Sequence, residues 1–446
     1  MKLLDILRRL RQPFVLWRTR EGDCDITLEL RHATPVLCAA ALFILHLAGA
    51  TSVTAALLAG AWMLVIASSV WAWKLAHHLR ATRHLEARWV QVGDMMEERF
   101  RLTNKTSLPV LWAEVDDHSN VPGYAASVVR AVEGNNETTW THQGTASRRG
   151  EFRLGPWSVE TSDPLGIFAV RLDYAHARPL LVYPPLTELP FPPLPRGASP
   201  GASRIRLAAP IPTTNAGQVR AYELGDPFRH IHWPSTARHN DLMVKMFDQE
   251  ASADIWLVMD TDPAAQFGEG DLASEEVAVL VAATLTADLL KEGRAVGLIT
   301  FTPERHVIRP ARSSHHLWTI LGELARLPNA AQRDRPSFKL SQALNETARV
   351  LRAGANVVIV TPSSDPAWVA SMAQLAARQI VPSVILVETQ ARRSPIQAML
   401  AEQDVICRAA QCDAPLPIRP AFGKTRRWEF KTLATGRVIK TMESVR

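Results

Sequence analysis

The chain has 446 residues, enough for two or three domains, and carries a formal net charge of +6 with four cysteines. The positive excess clusters before and just after one apolar stretch: Lys2, Arg8, Arg9, Arg11, Arg18, Arg20 and Arg31, then Lys74, Arg80 and Arg83. That is the flanking expected of a membrane segment and argues against a nucleic-acid binder. Cys24, Cys38, Cys407 and Cys412 form no CxxC pair and no Cys/His ligand spacing, so they read as isolated reduced thiols.

Residues 1–32 form a basic segment in which Leu3, Ile6, Leu7 and Leu10 recur at helical spacing. Such a helix fits the membrane interface and fits packing on protein equally well. Two apolar runs follow, Ala33–Ala50 and Val53–Ala76, separated by Thr51 and Ser52. A bilayer core takes about 20 apolar residues in a helix. The second run meets that; the first is short and holds His46. The pattern predicts a two-helix transmembrane hairpin over 33–76, with Trp62, Trp71 and Trp73 supplying interfacial anchors. The polar, basic stretch ahead of it argues against a signal peptide. Basic flanks on both sides place both ends, and all the chain that follows, in the cytoplasm.

Residues 77–184 show short alternating runs: 88–92, 98–102, 110–115, 151–154, 157–161 and 180–183, separated by turn residues such as Gly93-Asp94 and Gly150. They predict an all-β, sandwich-like domain. Residues 185–216 are a Pro-rich linker. Residues 217–250 are a distinct segment, treated below. From 251 to 446 strands and helices alternate: strands at 254–259, 295–301, 356–361 and 382–387, helices at 272–292, 316–327, 340–352, 368–379 and 395–403. This predicts an α/β domain with a mostly parallel sheet, whose ligand sites would lie at the carboxyl ends of strands. Asp260–Asp262 and Ser363–Asp365 fall at such ends.

The segment 217–250 packs Gly225-Asp226, Arg229, Ile231, Trp233 and Arg238 into fourteen residues. A Gly-Asp turn followed by spaced arginines and a tryptophan predicts an Asp–Arg network beneath a ring, serving as a clamp between domains or as a docking surface. Read as chemistry, Asp226, His230, His232, His239 and Asp241 would ligate a metal in a hydrolase. No phosphate loop, nucleophile elbow or HExxH occurs.

Tyr222, Gly225, Asp226, Arg229, Ile231, Trp233, Ala237 and Arg238 fill the pattern Y-x-x-G-D-x-x-R-x-I-x-W-x-x-x-A-R. Arg149, Gly150, Gly155, Asp163, Pro164 and Gly166 fill a second, R-G-x-x-x-L-G-P followed by D-P-x-G-x-F. Both are similar to the signatures of the membrane family called domain of unknown function fifty-eight, in which His232 takes a place often held by Asp and Pro234 one often held by Lys. The resemblance implies a von Willebrand factor type A-like C-terminal domain, which would hold Mg²⁺ through D-x-S-x-S and acids of other loops. Here Asp262 and Ala264 replace the two serines, and Thr361-Pro-Ser363-Ser-Asp365 replaces a T-D-G loop. Asp260, Asp262 and Asp365 are therefore expected to form a degenerate metal or docking site with weak or no Mg²⁺ binding. The resemblance further implies a multi-pass protein of the bacterial inner membrane. It would be a non-enzymatic adaptor for membrane lipid, a MoxR-type AAA+ ATPase and other protein clients, working in cell-envelope or complex-assembly processes.

Overall fold

The computed structural model describes residues 14–85, 90–191, 216–223, 228, 231–239, 241–247, 254–302, 304–334, 338–390, 395–413, 416–419, 426–432 and 438–444. The Leu3–Leu10 pattern and most of the Pro-rich linker lie outside them. The chain divides into two compact units, Met1–Pro185 with Leu321–Arg326, and Leu186–Ile320 with Leu327–Arg446.

The first unit is built on a six-stranded sheet ordered β1-β2-β11-β10-β6-β7. Its strands are β1 Phe14–Glu21, β2 Cys24–Leu30, β6 Val110–Asp117, β7 Val128–Val132, β10 Trp157–Ser162 and β11 Phe168–Tyr174. A second sheet joins β3 (Leu79–Leu85), β5 (Met95–Asn104) and β8 (Asn136–Thr145). A third joins β4 (Val90–Gln91), β12 (Arg178–Tyr183) and β9 (Gly150–Leu154). Strand β5 shows why: Met96, Phe100 and Leu102 are buried while Arg99 and Arg101 are exposed, the period-two pattern of a sheet with one dry face. Those inward residues share one core with Ile26, Val159, Val170 and Leu172 of the large sheet.

One boundary is corrected. Residues 14–30 are not part of a basic leading segment; they are two strands of the large sheet. Strand β2 pairs with β1 and with β11, Leu30 opposite Phe168 and Cys24 opposite Tyr174. The charges of Arg18 and Arg20 lie on the exposed outer strand and obscure the Ile26/Leu28 alternation that carries β2 into the core. The β unit therefore begins before the apolar helices, which are inserted between its strands.

Those helices are α1 (Thr34–Ala48) and α2 (Ser52–His78). Thr51 and Thr54 form a reciprocal capping box at the start of α2, each side chain accepting from the other's backbone N–H at 3.1 Å. Helix α2 is long and apolar enough to cross a membrane. Helix α1, at 15 residues, spans only about 22 Å against a bilayer core of about 30 Å. The unequal lengths of the two apolar runs thus carry over into one long helix and one short one. The far end of the pair exposes large apolar side chains, among them Ile44, Leu47, Val53 and Met63. The near end of α2 does not: Val65, Ala72, Leu75 and Ala76 join the β core.

In the second unit β13 (Leu186–Thr187) pairs with β22 (Ile418–Arg419), β14 (Ala216–Ala221) with β15 (Met243–Phe247), and β23 (Arg426–Thr432) with β24 (Val438–Ser444). Between β14 and β15 lies the short helix α3, Trp233–His239. The main sheet has the order β18-β17-β16-β19-β20-β21. Strands β16 (Ile255–Met259), β17 (Val296–Phe301), β19 (Asn356–Thr361), β20 (Val381–Glu388) and β21 (Ile406–Gln411) run parallel. Strand β18 (Arg305–Ala311) is an antiparallel edge. Helices α4 (Ser274–Lys291), α5 (Ser314–Arg326, of which Leu321–Arg326 belongs to the first unit), α6 (Leu340–Val350), α7 (Ala367–Ala377) and α8 (Ile396–Glu402) lie where the periodicity predicts them. Every residue of β17 is buried, the continuous run of a strand covered on both faces. The sheet extends beyond the expected set by β18, whose pattern is largely exposed, and by β21, which is only partly buried.

Candidate functional site

The carboxyl ends of β16 and β19 lie side by side, and Asp260 and Thr361 meet there. Asp260 is 4% exposed. Its Oδ2 accepts from the Thr361 hydroxyl at 2.5 Å and its Oδ1 from the Asp262 N–H at 3.0 Å. The Thr361 oxygen accepts in turn from the Ser363 N–H at 2.9 Å. Burial pushes the Asp260 carboxyl up to about 6, against the lowering effect of these two donors. The other acids close local turns. Asp262 Oδ1 accepts from the Ala264 N–H and Asp365 Oδ1 from the Ala367 N–H at the start of α7. Asp365 is exposed and Asp262 half-buried. The three acids expected at one rim are thus unequal: Asp260 faces inward and is not available to a partner.

A cavity opens beside Asp260, lined in part by Pro263, Gln266, Val279, Leu327 and Asn329. Its wall holds Glu275, paired with Arg333 through two contacts of 2.9 Å. Arg333 also donates to the Phe267 and Gly268 carbonyls at 3.1 and 2.9 Å. Spacing along the chain offered no signal for this pair, since 58 residues separate its members. Among the described residues no three His, Cys, Asp or Glu side chains gather as a metal site. Burial also pushes the Cys407 and Cys412 thiols up to about 11 and 12, which leaves both protonated.

The first signature, Tyr222 to Arg238, lies in the connection between β14 and β15, its last residues in α3. Ile231 is buried and bridges to Val244; the Tyr222 N–H donates to the Leu242 carbonyl at 2.7 Å. The Tyr222 ring stacks on Phe228. His232 sits immediately before α3, the place where an Asp would cap a helix, and its Nδ1 lies 2.7 Å from Ser235 Oγ. Pro234 occupies the first turn, where its missing N–H costs no helical bond. Gly225, Asp226, Arg229 and His230 lie outside the described residues, so the expected Asp–Arg network does too. Trp233 is 65% exposed and Phe228 71%, and Ala237 and Arg238 are exposed as well. The tryptophan is a surface group.

The second signature is a pair of turns in the first unit. Buried Arg149 donates to the carbonyls of Leu324 and Ala325 at 3.1 and 3.4 Å. Gly155 has φ +84, and a Cβ there would meet the His176 carbonyl oxygen at 3.1 Å, so glycine is required. Its N–H donates to Ser119 Oγ at 2.7 Å. Asp163 organises the second turn, accepting from the Leu165 N–H at 2.9 Å and the Phe168 N–H at 2.7 Å. Pro164 follows it, and Gly166, at φ +68, closes the turn on the Asp163 carbonyl. Gly150, at φ +144, opens β9.

Sequence reasoning missed a buried ionic cluster in the first unit. Arg83 donates to both oxygens of Glu98 at 2.7–3.1 Å and to Asp117 Oδ1 at 2.7 Å. The Tyr124 hydroxyl donates to Glu98, and Ser119 joins Asp117 to the Gly155 turn. Burial alone would lower the arginine pKa, but Glu98 and Asp117 more than offset it and hold it raised. Arg83 follows α2 closely, and its charge reads from sequence as a membrane flank. Its true partners become visible only when β3, β5 and β6 are brought together.

The chain is 25% identical over 253 residues to the uncharacterized protein YeaD of Bacillus subtilis, covering 55% of this chain and 62% of that protein. It is 28% identical over 174 residues to the uncharacterized protein Rv1480 of Mycobacterium tuberculosis, covering 39% and 54%. The match therefore spans less than two thirds of either relative. Among solved structures, an aerotolerance-related membrane protein from Bacteroides fragilis aligns at a TM-score of 0.24 and 16% identity, over 43% of this chain and 81% of that one. A β-glucosidase from Listeria innocua aligns at 0.16 and 12% identity, over 23% and 16%. Scores this low carry no structural argument. Residues 218–405, which hold the first signature and most of the α/β sheet, match the model of the family described as protein of unknown function DUF58.

Proposed function

We propose that the protein is a membrane-anchored, non-enzymatic interaction protein. In this reading the α1–α2 hairpin holds it in the bacterial inner membrane with both soluble units cytoplasmic. The second unit, a von Willebrand factor type A-like domain, docks a MoxR-type AAA+ ATPase in cell-envelope or complex-assembly work. The type A-like reading is supported by the strand order, in which an antiparallel edge flanks five parallel strands with the first strand central. The docking reading rests above all on one observation: the signature segment presents Phe228 and Trp233 to solvent. Exposed aromatic side chains on a defined scaffold are the usual anchors of protein interfaces. The exposed Asp365 and half-buried Asp262 add acidic character at the strand ends, suited to steering a basic partner.

The test is co-purification from native membranes in mild detergent. An AAA+ ATPase is expected with the wild type, much less with Phe228→Ser/Trp233→Ser, and somewhat less with Asp262→Lys/Asp365→Lys. If no such ATPase accompanies the wild type, the partner class is wrong. If both double variants recover it undiminished, the partner stands and the docking surface is wrong.

Magnesium is not required in this reading. Ala264 offers no ligand, and both Asp260 oxygens already accept protein hydrogen bonds. Millimolar Mg²⁺ is expected to leave the melting temperature unchanged. A rise that grows with concentration and vanishes in Asp260→Ala would reveal a working cation site.

A further inference from the structure

We propose that the open edge of the first sheet and the Asp163–Gly166 turn form an apolar collar seated in the interface of a phospholipid bilayer at the base of α1. The inference rests on the membrane-anchor reading and extends it to a surface outside the helices. Strand β2 leads into α1 through residues 31–33, and the N–H groups of Arg31 and His32 both donate to the Ile167 carbonyl. The Asp163–Gly166 turn thus abuts the start of the helix, with Leu165 at its tip 55% exposed. Strand β1 reaches the same level, since Phe14 lies opposite Leu30. Phe14 is 67% exposed and Leu16 47%, on a strand that ends the sheet.

Side-chain chemistry changes along β1 in the order a bilayer surface demands. Phe14, Val15 and Leu16 come first, nearest α1. Trp17 follows, stacked on His77 at 4.9 Å, with His77 against exposed Trp73 at 4.4 Å. Arg18 and Arg20 come last, both exposed and within reach of the Asp25 carboxylate, where lipid headgroups would lie. Apolar, aromatic, then basic is the order from acyl chain to headgroup.

Two physical limits set the depth. Helix α1 is about 8 Å short of the bilayer core, and seating the collar would recover part of that mismatch. Among the described residues no strand pairs with the outer edge of β1, and backbone groups left without partners would not be tolerated in hydrocarbon. The collar therefore belongs in the interface and no deeper. Lipid there would also cover an apolar sheet edge that otherwise invites strand pairing with another chain.

The full chain, carrying Cys38→Ala, is reconstituted into phosphatidylglycerol/phosphatidylethanolamine vesicles with a nitroxide at one introduced cysteine. Collision with oxygen is then compared with collision with a water-soluble nickel chelate. Leu45→Cys in α1 is the lipid reference and Asp23→Cys in the β1–β2 turn the aqueous one. Leu16→Cys and Leu165→Cys are expected to shift from the aqueous value toward the lipid value, with Phe14→Cys as a second reporter on β1. Aqueous values at all three, with Leu45→Cys lipid-like, would overturn the collar and leave the anchor standing. An aqueous value at Leu45→Cys as well would overturn both. Spin–spin broadening at Leu16→Cys that persists on dilution with lipid would give the edge to a second copy, and the proposal would fail.

Discussion

Asp260 shows how one side chain can keep its position at a strand end and lose its usual availability. A carboxylate that serves a cation must face solvent; this one lies inside and accepts two protein donors. Its raised pKa has a definite consequence for stability. Below pH 3.8, the ordinary value, it is protonated in both states and costs nothing. Between 3.8 and about 6 the unfolded chain ionises while the folded one does not, so stability falls. Above 6 the loss levels off at roughly 3 kcal/mol. Asp260→Asn cannot ionise, so denaturant unfolding of the two proteins should diverge across that window, the variant gaining on the wild type as pH rises. Parallel curves would mean that the carboxyl is ionised in the fold. Trp233 points the other way. An exposed ring has little packing to lose, and Trp233→Ser should leave stability within about 0.5 kcal/mol of the wild type. Residue identities alone mark both positions as unusual. Their orientation was not legible, because an aspartate at a strand end and a tryptophan before a helix read alike whether they face inward or out.

Elements with strong periodicity were the legible ones. The helices and parallel strands of the second unit follow from apolar runs whose flanks are clear turns. Strand β2 did not stand out, since its seven residues are bracketed by arginines and precede a far louder apolar stretch. Its place in the sheet changes what a truncation should do. A chain starting at Leu79 would lose β1, β2 and the Leu75 and Ala76 side chains of the core. Such a truncation is expected to show no cooperative unfolding, whereas a separable 77–184 domain would melt normally. The join between α2 and the sheets is reinforced by Arg83, only five residues beyond the helix end. Arg83→Ala would leave Glu98 and Asp117 buried without their cation, at a cost of roughly 3–5 kcal/mol. A drop of under 1 kcal/mol in the detergent-solubilised protein would show that water or rearrangement replaces it.

At the scale of the whole molecule the proposal is a helical anchor growing out of a β core, with a separate α/β unit carrying the family signature. In the proposed topology both termini lie on the cytoplasmic side, so a cytoplasmic reporter fused after Arg446 should be active and a periplasmic one silent. The anchor itself is the claim on which the collar, the topology and the access to ATP all depend. Its most direct test is fractionation of native membranes washed in high salt and then in alkaline carbonate. The full chain is expected to stay in the pellet through both washes and to leave it only in detergent, because the exposed apolar length of α1 and α2 has no other solvent. Release into the carbonate supernatant would show that the helices pack against protein, and would contradict the anchor.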